Sequence, residues 1–95
     1  MSDITITRED GPKGGRYVTI INGDEAEMTY SRAGATRIII DHTGVPDSMR
    51  GLGVGKKLVE AAVNDARAEG FKIIPLCPFA KATLAKHAEW QDVVQ

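Results

Sequence analysis

The sequence predicts an α+β (mixed α/β) domain: antiparallel strands first, then a helix, a fifth strand and a short C-terminal helix. Three observations carry that expectation. The first 43 residues alternate apolar and polar positions between glycine-rich turn signals. After Pro46 the apolar spacing switches to that of a helix. Past Gly70 a short apolar run returns. Strand, helix and strand in succession are the pattern of a parallel pair with a right-handed crossover.

In chain order, Ile4 to Thr7 alternates and reads as strand one, closed by the turn Asp10-Gly11-Pro12-Lys13-Gly14-Gly15. Arg16 to Ile21 is rich in aromatic and β-branched residues and reads as strand two. Asn22-Gly23 marks a tight hairpin turn, because both residues tolerate positive φ. Glu25 to Tyr30 is strand three, with Ala26, Met28 and Tyr30 on one face, and Ala33-Gly34 breaks it. Thr36 to Thr43 is strand four, and its Ile38-Ile39-Ile40 centre predicts burial on both faces. Strands one to four form a meander. From about Gly53 to Glu69 a helix places Val54, Leu58, Val59, Ala62, Val63 and Ala66 on one face. Gly70 supplies its stop. Phe71 to Cys77 is strand five. Pro78 sits where a first helical residue would, and Phe79, Ala80, Leu84 and Ala88 give the second helix. The tail from Glu89 to Val94 is a short strand or an extended segment, docked by Trp90.

The composition bounds the function. Ninety-five residues suit one domain, residues 1–95, and 42% hydrophobic with 26% charged residues suits a soluble globule. A net charge of −1 removes the main electrostatic argument for nucleic-acid binding. One cysteine, Cys77, excludes an internal disulfide; with only His42 and His87 beside it, a four-ligand Cys/His zinc site is excluded too, and no metal is expected. No run of about 18 apolar residues exists to span a membrane. The start Met1-Ser2-Asp3-Ile4-Thr5 lacks the basic and apolar parts of a signal peptide. A cytoplasmic domain, monomeric or weakly dimeric, is the expectation.

The most informative stretch is Arg50-Gly51-Leu52-Gly53-Val54-Gly55-Lys56-Lys57, between a strand and a helix. Its glycines let backbone approach a ligand, and free N–H groups at a helix start favour an anion such as pyrophosphate. Two phosphate motifs fail. A P-loop needs glycine at position 50 and a hydroxyl at 57, where Arg50 and Lys57 stand; the dinucleotide G-x-G-x-x-G needs glycine at 56 or 58, where Lys56 and Leu58 stand. Arg50-x-x-Gly53-x-Gly55 satisfies a third pattern, R/Q-x-x-G-x-G/A.

That pattern is the pyrophosphate loop of the GNAT N-acetyltransferase superfamily, and the sequence resembles its minimal, roughly 100-residue branch. The resemblance rests on Asp41-His42-Thr43, Val45-Pro46, the glycine loop, Ile73-Ile74-Pro75-Leu76-Cys77-Pro78-Phe79 and His87-Ala88-Glu89-Trp90-Gln91-Asp92-Val93. It spans most of the chain from about residue 16. The resemblance implies an acetyl-CoA site in a V-shaped gap between strands four and five. Pyrophosphate would rest on the Gly51–Lys56 amides (Gly51, Leu52, Gly53, Val54, Gly55, Lys56) behind Arg50. Pantetheine would run beside Thr43 to Val45. Pro78 and Phe79 would flank the other side. Apart from the resemblance, Lys56, Lys57, Lys81 and Lys86 are the cations candidate to offset phosphate charge, since cations gather near bound phosphate. The prolines point the same way: proline is avoided in central strands, so Pro46, Pro75 and Pro78 make sense if the two strands part, although an edge strand would also admit them.

Two departures matter. Larger GNAT enzymes wall the acceptor site with helices between strands one and two, where only the Asp10–Gly15 turn stands here; the acceptor site is expected to be open or completed by another subunit. Many also use a tyrosine after strand five as the acid for the leaving thiolate, and neither Tyr17 nor Tyr30 lies there.

His42 is the candidate base, since an ordinary histidine pKa of about 6.5 leaves it mostly neutral at pH 7. Strand alternation places it on the face of Ile38 and Ile40, with Asp41 opposite. Cys77 either carries the acetyl group, donates a proton, or packs; the resemblance makes His42 and Cys77 the suspected catalytic pair. The expected function is acetyl-CoA-dependent N-acetyl transfer by direct amine attack on the thioester, to an unknown protein amine or polyamine. A non-catalytic acyl-CoA-binding module and a cofactor-free interaction domain are the alternatives.

Overall fold

Every strand of the sheet lies beside its sequence neighbour. The computed structural model describes residues 4–95; Met1, Ser2 and Asp3, where the signal-peptide argument begins, lie outside the described residues. β1 (Thr7–Asp10), β2 (Gly14–Ile21), β3 (Asp24–Arg32) and β4 (Arg37–Gly44) pair antiparallel, and β5 (Lys72–Pro75) joins β4 in parallel. A 3-10 turn (Asp47–Met49) and α1 (Val54–Glu69) connect β4 to β5; α2 (Pro78–Ala85) and a 3-10 segment (Ala88–Val93) follow. The mixed α+β architecture is the one the sequence predicts.

The β2–β3 turn forms as its residues dictate: Asn22 has φ 52° and Gly23 has φ 84°, the conformation that matches strand twist in a two-residue hairpin. One sheet face carries Tyr17, Ala26, Met28, Tyr30, Ile38 and Ile40, all buried, and α1 packs on it through Val54, Leu58, Val59, Ala62, Val63 and Ala66. Burying a leucine such as Leu58 contributes roughly 1.5–3 kcal/mol. Gly70 ends α1 at φ 79°, with its N–H donating to Ala66 O at 2.8 Å. Trp90 is buried and anchors the tail, which is a 3-10 segment followed by one parallel bridge, Val94 to Ile73.

Several boundaries move. β1 starts at Thr7, where the alternating run was expected to end, because the hairpin closes tightly through Gly11 N–H to Gly14 O (2.8 Å) and pairs Asp10 with Gly15. Gly14 and Gly15 therefore lie in β2 and not in the turn; a Cβ on either would collide with the backbone of the neighbouring strand. Ile39 is only half-buried, since the sheet face opposite α1 is more open than the isoleucine run predicts. β5 is an edge strand of four residues, shorter than the expected Phe71–Cys77. Ala88 falls outside α2.

Candidate functional site

β4 and β5 pair from Arg37–Lys72 to Ile40–Pro75 and no further. Pro75 has no N–H, and the N–H groups of Leu76 and Cys77 both turn onto Ile40 O (3.2 and 3.0 Å), which closes the ladder. β4 continues to Gly44, paired only with β3 on its other side. A length of β4 backbone thus borders a gap whose far wall is Cys77 and the start of α2.

The glycine loop lies at the mouth of that gap. Gly51 (φ 83°) and Gly53 (φ 74°) adopt the left-handed conformation that glycine favours, and Gly53 is the N-cap of α1. No side chain caps this helix and no acidic residue stands in its first turn, so the first-turn amides are free of intrahelical acceptors and aimed outward. A hollow of about 370 Å³ opens here. Of the residues the sequence singles out, Val45, Arg50, Gly51, Gly53, Val54, Gly55, Lys56, Phe79 and Lys86 line it; Met49, Thr83 and His87 join them without having been marked as ligand contacts. Leu52 is exposed within the loop. Arg50 is 82% exposed and pairs with Asp47 at 2.9 Å. Lys81 is not brought to this hollow: it lines a second one with Ile74, Pro75 and Gln91. His87 stacks on Trp90 (ring centroids 4.1 Å apart) and meets Glu89 through Nδ1 at 3.1 Å, so the folded tail presents it.

Where the sequence placed His42 beside Ile38 and Ile40, the structure puts it on the opposite face. A β-bulge at Asp41 is the reason: Tyr30 pairs with Ile40, but the next residue back, Thr29, pairs with His42. Cross-strand partners share a face. Thr43, opposite Met28, therefore points with the core, and His42, opposite Thr29, points away and is exposed. Asp41 also turns to the His42 side, where Ser31 donates to it at 2.6 Å, and does not oppose His42 as alternation predicts.

Cys77 is 6% exposed and caps α2 ahead of Pro78. Its thiol donates to Thr43 Oγ1 at 3.4 Å across the gap. Burial pushes the thiol up, but the Thr43 hydroxyl and the backbone amides of Ala80, Phe79 and Thr43 outweigh it and hold the thiol below the ordinary cysteine value. Both tyrosines are committed elsewhere: Tyr17 donates to Asp65 at 2.8 Å, and Tyr30 donates to Asp10 while accepting from Arg8 Nε at 3.1 Å.

A parallel pair that parts at Ile40 and Pro75, with a glycine-rich helix start at its mouth, marks the chain as a member of one family of α+β domains. The comparisons agree. The sequence model of GCN5-related N-acetyl-transferase matches residues 16–93. "Protein NATD1" of Xenopus tropicalis is 32% identical over 75 residues, covering 77% of this chain and 69% of that protein. The NMR solution structure of a GCN5-like protein from Staphylococcus aureus superposes with a TM-score of 0.75 at 41% identity, covering 100% of this chain and 91% of that one. The chain belongs to the GCN5-related N-acetyltransferase family, as a small member whose fold is that of acetyltransferases. Among the described residues no helix is long and apolar enough to cross a membrane.

Proposed function

We propose that this protein is an acetyl-CoA-dependent N-acetyltransferase that works by direct attack of an acceptor amine on the thioester. The observation that carries the proposal is the termination of the β4–β5 ladder at Ile40 and Pro75 beside the glycine-loop hollow. The residues fit the donor. The amides of Val54, Gly55 and Lys56 would hold its pyrophosphate, Lys56 and Lys86 would offset phosphate charge, and the backbone from Thr43 to Val45, at and just past the free end of β4, would bond its amide-bearing arm. When bound, acetyl-CoA supplies an activated acetyl thioester.

The chain's own groups then divide the proton work. His42, exposed beyond the bulge, accepts the proton of the incoming amine at its ring nitrogen and passes it to solvent. Cys77, on the other side of β4, gives its Sγ proton to the departing thiolate and is reprotonated from solvent. This takes the place of the tyrosine that larger members of the family use. The acceptor is a protein amine or a polyamine.

A thermal melt with acetyl-CoA, followed by thiol release with an amine panel, tests the proposal. Ligand at 100 times its Kd should add about 2.7 kcal/mol of stability. No shift at millimolar acetyl-CoA removes the proposal. A shift without amine-dependent thiol release replaces it by a non-catalytic acyl-CoA-binding module. Release that is unaltered in both His42→Ala and Cys77→Ala refutes the assigned roles.

A further inference from the structure

Thr43 and Cys77 reach each other from opposite walls of the gap, and the sequence marks neither for the other. The sequence places Thr43 at the end of strand four, beside the expected pantetheine path, and gives its side chain no role. The bulge at Asp41 reverses the facing of β4, so that the Thr43 side chain turns inward with Met28 and its hydroxyl lies 3.4 Å from Cys77 Sγ. From the other wall, Cys77 is the N-cap residue of α2, so the sulfur stands at the start of that helix.

We propose that Thr43 is a positioning residue that readies Cys77 to release its proton, and that His42 takes no part in doing so. A hydroxyl accepts from a thiol and, once the thiol is ionised, rotates to donate to the thiolate; an amide at a helix start only donates. The Thr43 hydroxyl and the start of α2 thus favour the sulfur anion without a charged partner.

The charged groups around Cys77 leave this role to Thr43. On β4, Asp41 and His42 turn to the other face. On β3, Glu27 lies on that other face as well, tied to Arg16 at 2.7 Å. On α2, Lys81 is exposed and lines the second hollow. On β5, Lys72 stands at the far end, bonded to the Asp92 carbonyl. On α1, Lys56 and Lys57 are exposed, and Lys57 meets Glu60 at 3.5 Å.

In the reaction, the Cys77 S–H bond breaks, its proton joins the departing thiolate sulfur, and the Cys77 thiolate left behind regains a proton from solvent. Only this use of the proton rests on the acetyl-transfer proposal; the Thr43–Cys77 coupling does not.

The chain has one cysteine, so labelling cysteine with ¹³C at Cβ gives one resonance whose shift follows thiol ionisation. The titration needs neither acyl donor nor acceptor, so it stands whether or not acetyl transfer is found. Thr43→Val should raise the midpoint by about one pH unit, a tenfold change in ionisation constant. Thr43→Ser, which keeps the hydroxyl, should restore most of it, and His42→Gln should shift it by less than about a third as much. A Thr43→Val midpoint equal to that of the unmodified protein, or a His42→Gln shift as large as that of Thr43→Val, overturns the inference. Amide spectra report the fold, and Thr43→Ala carries the same comparison should the valine variant unfold.

Discussion

Gly55→Ala separates the glycine loop's contribution to folding from its contribution to binding. Gly55 is the second residue of α1, and the Phe79 ring lies against it: an added Cβ would meet the ring tip and come within 2.8 Å of Cε2 and 3.3 Å of Cε1. What it meets is the end of a side chain that is 44% exposed, not backbone, so the ring swings aside. Alanine in place of glycine favours the helix by up to about 1 kcal/mol. Displacing the ring from its preferred rotamer costs roughly 0.5–1.5 kcal/mol. The two terms nearly cancel, and the melting free energy should stay within about 0.5 kcal/mol of the unmodified protein. Binding does not share in that cancellation, because the ring lines the hollow and moves within it. Titration calorimetry with coenzyme A should show affinity weakened about tenfold, or ~1.4 kcal/mol. In a Phe79→Ala background most of that loss should vanish, since the colliding ring is gone. A stability loss above about 2 kcal/mol, or an equal affinity loss with and without Phe79, would refute the reasoning.

Two further outcomes concern the opposite end of the molecule. Arg8 is 18% exposed, lies 5.5 to 5.9 Å from the centroids of Tyr30, Tyr17 and Phe71, and pairs with Asp65 (3.3 Å) and Glu69, fastening β1 to α1. Arg8→Met should lower stability by roughly 1–3 kcal/mol in urea titration, because Asp65, Glu69 and the Tyr30 hydroxyl lose a charged partner; a change under about 0.5 kcal/mol would show the network to be ornamental. The Tyr30 hydroxyl, against the opposing effect of burial and with help from Arg32 (2.5 Å), holds the Asp10 carboxyl below the usual carboxylate range. A depressed folded pKa gives stability that is present at neutral pH and lost as pH falls below about 4. The urea midpoint of Asp10→Asn should therefore fall less between pH 7 and pH 3 than that of the unmodified protein, and parallel curves would remove Asp10 from the acid response.

What the sequence reveals and what it hides differ in range. Ala26, Met28 and Tyr30, the apolar face of α1 and the Asn22-Gly23 turn are legible because each depends on residues within a few positions. The bulge at Asp41 is different. Asp41-His42-Thr43 reads as ordinary strand, and the extra residue appears only when β3 is laid beside it, Thr29 against His42 and Tyr30 against Ile40. One unpaired residue moves His42 off the face that alternation assigns it and brings Thr43 to Cys77. Lys81 shows a second kind of limit. Phe79, Thr83 and Lys86, spaced four and three apart, share the side of α2 that lines the hollow, and Lys81, two residues after Phe79, falls on the side that faces the second hollow. The stacked His87–Trp90 pair offers a faint sequence signal at a spacing of three, but that spacing is common in any short helical turn.

The gap and the division of His42 from Cys77 have one origin. Pro75 withholds an N–H where the parallel ladder would continue, the next two amides converge on Ile40 O, and Pro78 turns the chain into α2. On the far side of β4, the bulge falls at the residue immediately after Ile40. Both interruptions meet at one peptide, so the strand loses its β5 partner and reverses its facing together. A gap made by Pro75 alone would leave His42 directed inward and Thr43 outward, with no hydroxyl at Cys77. A bulge alone would leave the β4 edge covered by β5. Only the two together give a strand with a free edge, with Thr43 turned to Cys77 on one face and His42 exposed on the other.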